Sequence, residues 1–242
     1  EIAKPILVGE PEAIRAAAER ELVDISEMEI ISPTVSPMKA VYAKQFSDLQ
    51  EKAGKKFSGQ ITDPHIFANM MLQAGDVDAV ISGVDKNYPD LIRPVLEIVG
   101  RNQNAKNVAA LYIISVDDQL YFFTDVALNI SMTSEKLAHI GIQAADFVKG
   151  MEITPRVAFL SASNFGSVVH PTVSLVSDAV AMVHKSRPDL EVDGEMQADT
   201  ALLFDSLQAM RPETKLTGPA NIFVFPDMQS ANISYKLMQR LG

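Results

Sequence analysis

The sequence has 242 residues, 47% of them hydrophobic and 21% charged, a balance that supports one large core or two smaller ones. It has no cysteine, which excludes disulfides, thiolate metal centres, iron–sulfur clusters and a cysteine nucleophile within it. A net charge of −10 argues against a nucleic-acid surface, which needs cations to neutralise phosphates, but leaves open a small anionic ligand that feels only its local field.

No apolar run approaches the roughly 18–20 residues of a membrane span, and no signal peptide is read, so a cytoplasmic location is expected. Lys4-Pro5-Ile6-Leu7-Val8-Gly9 reads as a core strand and its turn, and the sequence is therefore expected to be cut from something longer. Residues 11–20 are rich in alanine and charge, a surface helix. Asp63 before Pro64 is a helix cap, the stripe Ile66, Phe67, Met70, Met71 and Ala74 follows at helical spacing, and Gly75 closes it. Residues 77–82 read as a strand ending at Gly83, and residues 91–99 as a helix carrying Arg93. Residues 108–116 and 120–124 flank Asp117-Asp118-Gln119, a hairpin.

The rhythm then repeats. Leu137, Ile140, Ala144, Phe147 and Met151 mark a helix, 156–161 a strand, 171–185 a helix, 190–193 a short strand, 196–210 a helix, 220–225 a strand and 230–241 a helix. Strands alternating with helices imply an α/β fold with a largely parallel sheet covered on both faces. The polar stretch 100–107 is the expected crossing between two subdomains, 1–104 and 105–242.

In such sheets ligands sit beyond the carboxyl ends of strands. Those positions here are Ser82-Gly83, Thr124-Asp125, Ser161-Ala162-Ser163-Asn164, Asp193-Gly194-Glu195 and Pro226-Asp227. Their small, hydrogen-bonding residues suit a polar ligand, and equally suit turns that need such residues anyway. Ser161, Ser163 and Asn164 could wrap a phosphate or a thioester carbonyl. The stretch is neither a P-loop nor a nucleophile elbow, and His170 before Pro171 reads as a helix start. Asp193, Glu195 and Asp199 could hold magnesium or serve as acids in a helix's first turn. No G-x-G-x-x-G run supports a nicotinamide cofactor in this chain. In the last helix Asn232, Lys236 and Arg240 share a face, with Ile233, Leu237 and Leu241 as the adjacent apolar stripe. The two cations fit phosphates of a nucleotide-like ligand, or the helix dipole and solvent.

Two long motifs carry a resemblance. Leu190-Glu191-Val192-Asp193-Gly194-Glu195-Met196-Gln197-Ala198-Asp199 and Gly218-Pro219-Ala220-Asn221-Ile222-Phe223-Val224-Phe225-Pro226-Asp227, with Ala231 to Leu237 beyond, are similar to the phosphate acetyltransferase/phosphate butyryltransferase family. Gly75-Asp76-Val77-Asp78-Ala79-Val80-Ile81-Ser82-Gly83 and Ile92-Arg93-Pro94 fit the same pattern. Asn87-Tyr88-Pro89, Ser163-Asn164-Phe165-Gly166-Ser167 with His170-Pro171, and Phe123-Thr124-Asp125-Val126-Ala127-Leu128-Asn129-Ile130 most resemble the C-terminal phosphotransacetylase-like domain of NADP-dependent malic enzymes.

The resemblance implies two doubly wound α/β subdomains with the ligand cleft between them, as in isocitrate and isopropylmalate dehydrogenases, assembled as a homodimer or larger homo-oligomer. It implies acetyl-CoA or CoA as ligand, with Arg93 near the phosphate and thioester and Lys236 and Arg240 touching CoA, and no metal in this domain; Ser161, Ser163 and Asn164 after their strand and Asn232 on the last helix complete the expected ligand-binding set. The expected function is that of an acetyl-CoA-sensing regulatory domain, with NADP, a divalent metal and malate decarboxylation confined to a separate region of the parent. The alternative is an active phosphate acetyltransferase. In the family a base and a Ser-Arg pair lie past the position of Gly242, and one arginine falls at Gln50, so acetyl transfer by this chain is expected to be lost.

Overall fold

A computed structural model describes residues 3–84, 86–101, 107–125, 127–129 and 131–241. The chain divides into two compact units, Glu1–Asn102 and Gln103–Gly242. The expected boundary between 104 and 105 lies outside the described residues.

The first unit opens with β1 (Ile6–Val8), α1 (Pro11–Arg20) and β2 (Glu29–Ile31). The two strands pair in parallel, Leu7 opposite Ile30. The helix between them buries none of its residues, as its alanine- and charge-rich composition requires. α2 (Lys39–Ala53) follows and ends at Gly54, whose φ of 64° is the left-handed conformation that glycine adopts without a Cβ clash. α3 (Pro64–Ala74) starts as expected. The Asp63 carboxylate accepts from the N–H groups of His65 and Ile66, and Pro64 supplies a first-turn residue with no N–H to satisfy. α4 (Tyr88–Ile98) completes the unit. Its core is Tyr42 and Phe46 from α2, Phe57, Ile66, Phe67, Met70 and Met71 from α3, and Ile98 from α4.

Residues 77–82 are not the expected strand. A strand exists only as a rung in a ladder, and 77–82 join no ladder; Ile81 is fully exposed. The segment runs instead along a cleft of about 500 Å³ whose other side includes Ile6, Leu7 and Val8. Among the described residues the sheet of this unit has two strands, which is not the doubly wound subdomain anticipated.

The second unit carries β3 (Leu111–Val116), β4 (Gln119–Thr124), α5 (Ser134–Gly150), β5 (Arg156–Leu160), α6 (Pro171–Ser186), β6 (Glu191–Met196), α7 (Ala198–Leu202), α8 (Phe204–Met210), β7 (Ile222–Val224) and α9 (Met228–Leu241). The sheet order is β3-β4-β7-β5-β6, with β3 antiparallel to β4 and the other pairs parallel. Asp117 and Asp118 turn the β3–β4 hairpin with φ of 49° and 61°, the paired left-handed conformation of a two-residue hairpin turn, which aspartate tolerates better than most residues. The single helix expected over 196–210 is broken at Leu203, and Met196 belongs to β6.

Alternation along the strands sends side chains to two cores. Phe122, Val157, Phe159, Ile222 and Val224 face α5 and α6 through Leu137, Ile140, Val148, Val176, Val180 and Val183. Phe123, Ala158, Leu160 and Phe223 face the other way, with Ala201, Leu207 and Ala231. This unit is wound on both sides, as the alternation of elements predicts. Among the described residues, no helix is long and apolar enough to cross a membrane.

Candidate functional site

In the first unit, Arg93 lies on α4 at a cleft of about 190 Å³ lined also by Ser58, Asp63, His65, Lys86 and Asp90. Three contacts shape the cleft. The His65 imidazole donates through Nε2 to the Leu91 carbonyl at 2.9 Å, tying α3 to α4. The Ser58 N–H and hydroxyl both donate to Glu97 Oε2, at 3.0 and 3.1 Å. Burial works to raise the Glu97 carboxyl, but those bonds and Lys55 together hold it below its ordinary range. Across the mouth, Lys86 Nζ stands 3.2 Å from Asp63 Oδ2. Arg93 is exposed, and among the described residues no hydrogen bond or ion pair occupies its guanidinium. Pro94 beside it has no N–H, so it cannot bond the Asp90 carbonyl.

In the second unit the structure brings Ser161, Ser163 and Asn164 together in the turn after β5, but spends most of their polar groups on the turn itself. Ser163 is fully buried; its hydroxyl donates to Glu195 Oε1 at 3.0 Å and accepts from Val168 N. Ser161 Oγ accepts from Ser163 N. Asn164 and Gln197 exchange bonds, Nδ2 to Oε1 at 3.2 Å and backbone N to Oδ1 at 2.8 Å. Glu195, which also accepts from Gly166 N at 2.6 Å, is the brace of this turn. Asp193 turns to the Thr214 hydroxyl at 2.6 Å and to Arg211. The two acids thus serve separate structural networks, and no three metal-ligating side chains converge among the described residues. His170 caps α6, its Nδ1 accepting from Thr172 N, the helix-start role expected of it.

Asp125 has a similar structural commitment. It is fully buried and accepts from the N–H groups of Ala110, Ala127, Leu128 and Asn129 and from the Asn129 amide. Asp125→Ala strands these donors. It is expected to cost about 2–4 kcal/mol, read as a lower denaturant midpoint at unchanged slope.

On α9 the core-facing residues are Ala231, Tyr235 and Met238. The stripe Ile233, Leu237 and Leu241 is exposed, at 59, 54 and 82%. Lys236 and Arg240 are exposed as well, with the Lys236 ammonium 5.1 Å from the Tyr235 ring centroid. Asn232 joins this cluster: burial works to raise the Tyr235 hydroxyl, but Tyr112, Lys236 and Asn232 outweigh it and pull the group below its ordinary value. Arg240 has no such partner among the described residues. Arg93 belongs to one unit and the other six expected site residues to the other.

Sequence reasoning missed Lys86 and treated Asp63 only as a cap; a lone lysine in a turn carries no pattern. Gln50, the position matched to an arginine, is occupied within the first unit, its side-chain oxygen accepting from Phe57 N at 2.9 Å.

The fold and these motifs agree with what known proteins show. The chain belongs to the phosphate acetyl/butaryl transferase family, whose model matches residues 1–242. It is 36% identical to the phosphate acetyltransferase of Clostridium acetobutylicum, over 100% of this chain and 75% of the relative. It is 38% identical to that of Thermoanaerobacterium thermosaccharolyticum, over 100% and 76%. Among solved structures, the EutD phosphotransacetylase of Staphylococcus aureus superposes with a TM-score of 0.84 at 30% identity, covering 99% of this chain and 74% of that one. A phosphotransacetylase of Streptococcus pyogenes gives 0.82 at 30% identity, with 99% and 74% covered.

These matches correct one expectation. Relatives named as phosphate acetyltransferases cover the whole chain, which overturns the reading as a malic-enzyme regulatory domain. The NADP, divalent-metal, oxidoreductase and allosteric expectations tied to that reading fall with it. The error came from short segments. Of these, the turn at 163–167 is shaped by Glu195, and residues 127–129 are held by Asp125. Such local packing does not distinguish a sensor from an enzyme.

Proposed function

We propose that this protein is a phosphate acetyltransferase, moving an acetyl group between the sulfur of CoA and an oxygen of inorganic phosphate. The observation that supports this best is Arg93: a guanidinium with no partner among the described residues, at a polar cleft, beside a second cation, in a chain of net charge −10. An exposed arginine in so acidic a chain gains from pairing with its own carboxylates; one left unpaired is available to an external anion.

In the forward step a phosphate oxygen attacks the thioester carbonyl carbon. The new C–O bond forms, negative charge gathers on the carbonyl oxygen, and the C–S bond breaks as the electron pair leaves on the CoA sulfur. With no cysteine in the chain, a cysteinyl acyl-enzyme detour is not open to it. Arg93 binds and orients the phosphate and offsets its charge as that charge redistributes. Lys236 and Arg240 take the phosphates of CoA, and the turn at 161–164 offers what polar surface its own bonds leave free. This reverses the expectation of a chain that binds without turnover.

The assay is acetyl phosphate plus CoA, followed by thioester absorbance. Steady formation of acetyl-CoA is expected, and none at saturating concentrations of both would reject the proposal.

For CoA binding, calorimetry on Lys236→Ala/Arg240→Ala is expected to show at least a tenfold loss of affinity, since charge-assisted bonds are worth about 1.5–3 kcal/mol each. Equal affinities would remove α9 from the site. We further propose a homo-oligomer, in which a second copy covers apolar surface such as Ile233, Leu237 and Leu241. Light scattering showing a monomer at micromolar concentration would count against it.

A further inference from the structure

We infer that Lys86 is a second phosphate-binding residue of the Arg93 cleft, latched by Asp63 until a phosphate dianion takes the carboxylate's place. The inference rests on the proposed function for the identity of the ligand, and on the geometry of the cleft for everything else.

Among the described residues, four charged side chains line the cleft: Lys86 and Arg93 against Asp63 and Asp90. They sum to zero, so an entering dianion is compensated only if cations turn to it and away from the acids. Arg93 is already free among the described residues, whereas Lys86 is held at 3.2 Å by Asp63. The two partners of that pair differ in mobility. The other Asp63 oxygen, Oδ1, is fixed on the first turn of α3 by His65 N at 2.8 Å and Ile66 N at 3.4 Å. Burial works to raise the Asp63 carboxyl, but the His65 N–H, Lys86 and the Ile66 N–H outweigh it and keep the group ionised. Lys86 sits on a four-carbon stem with rotatable donors.

When phosphate arrives, the lysine moves and the aspartate stays, still capping its helix. Both side chains of the pair are about one-third exposed, at 31% and 35%. A pair so placed is weak and exchangeable, where a fully buried one would be a fixed strut. The latch has a direct consequence for function. Without it, the free cleft would present two cations to any anion; with it, only a ligand carrying enough charge to displace a carboxylate engages both. This favours a phosphate dianion over monoanions such as acetate or chloride.

The test is titration of inorganic phosphate into the full chain by calorimetry, on wild type, Lys86→Met, Asp63→Asn and the double variant. Asparagine keeps a cap oxygen for α3. Lys86→Met is expected to weaken phosphate binding at least tenfold. Asp63→Asn is expected to tighten it at least threefold while Lys86 is present, and by a clearly smaller factor in the Lys86→Met background. Phosphate affinity unchanged by Lys86→Met overturns the inference, and so does an equal effect of Asp63→Asn in both backgrounds, which would report only removal of a nearby negative charge. Should Asp63→Asn fail to fold by thermal melt, the Lys86→Met titration with acetate as competitor decides. Loss of selectivity for phosphate over acetate is expected, and unchanged selectivity overturns it. Arg93→Ala separates the two levels. If it leaves phosphate binding intact, the functional reading of the cleft fails; if it abolishes binding while Lys86→Met does not, only the role of Lys86 fails.

Discussion

Arg93→Ala is expected to lower kcat/KM for acetyl phosphate and CoA by about 10²–10³, the usual cost of removing one preorganised electrostatic contact to a developing charge. Most of the loss should appear with phosphate or acetyl phosphate as the varied substrate. The fold should survive, because Arg93 is exposed and holds no partner among the described residues, while the adjacent Pro94 carries the packing of that turn. Arg93→Lys should recover only part of the rate, since a lysine keeps the charge but not the two-pronged geometry that matches a phosphate. Steady-state kinetics with a parallel thermal melt checks this. An unchanged kcat/KM in a folded Arg93→Ala protein would move the anion site elsewhere.

Gly194→Ala is expected to be the most destabilising single-methyl addition in the second unit, costing about 3 kcal/mol or more. Two independent costs coincide there. Gly194 has φ of 141°, a conformation L side chains rarely adopt, and a Cβ at that position would lie 2.7 Å from the backbone oxygen of Phe159. A backbone atom in the middle of the sheet cannot move aside as a side chain tip can. Gly141 provides the comparison. Its Cβ would also collide, at 2.5 Å from Phe159 Cζ, but there the obstacle is a ring and the helical backbone is ordinary. Gly141→Ala should therefore cost less than Gly194→Ala. Gly194 precedes Glu195, so its replacement should also disturb the turn Glu195 braces, weakening CoA binding beyond what instability alone explains. Chemical denaturation and calorimetry on both variants check the order, and a stable Gly194→Ala protein would refute the argument.

Much of the fold was legible from residue pattern. Where a helix has both a cap and a stripe, as at Asp63 with Ile66, Phe67, Met70 and Met71, its position follows from local chemistry, and α3 begins and ends where expected. The hairpin at Asp117-Asp118 and the alternation of strands and helices after residue 134 were equally local signals. α2 was not read, because Lys39–Ala53 buries only Tyr42 and Phe46 on an otherwise polar surface. Residues 77–82 show the opposite failure: their apolar run has strand composition, but a strand requires a partner's backbone, which composition cannot supply.

The sequence by itself determined the α/β class, the caps, the hairpin and, through two long motifs, the family, since each depends on neighbours along the chain or on a long, specific string of residues. Tertiary structure alone decided what the polar residues do. Ser163, Asn164, Asp125, Asp193 and Glu195 look like ligand-binding groups in a string, yet folding spends them on one another and on backbone N–H groups, because a buried polar atom must be satisfied wherever it lands. Arg93, already marked by the family resemblance, and Lys86, which no pattern marked, stand apart for the converse reason. The fold places both at one cleft, leaving the first without a partner among the described residues and giving the second one it can exchange. Whether a charge is spent or available is a property of three-dimensional neighbours, and no spacing along the chain records it.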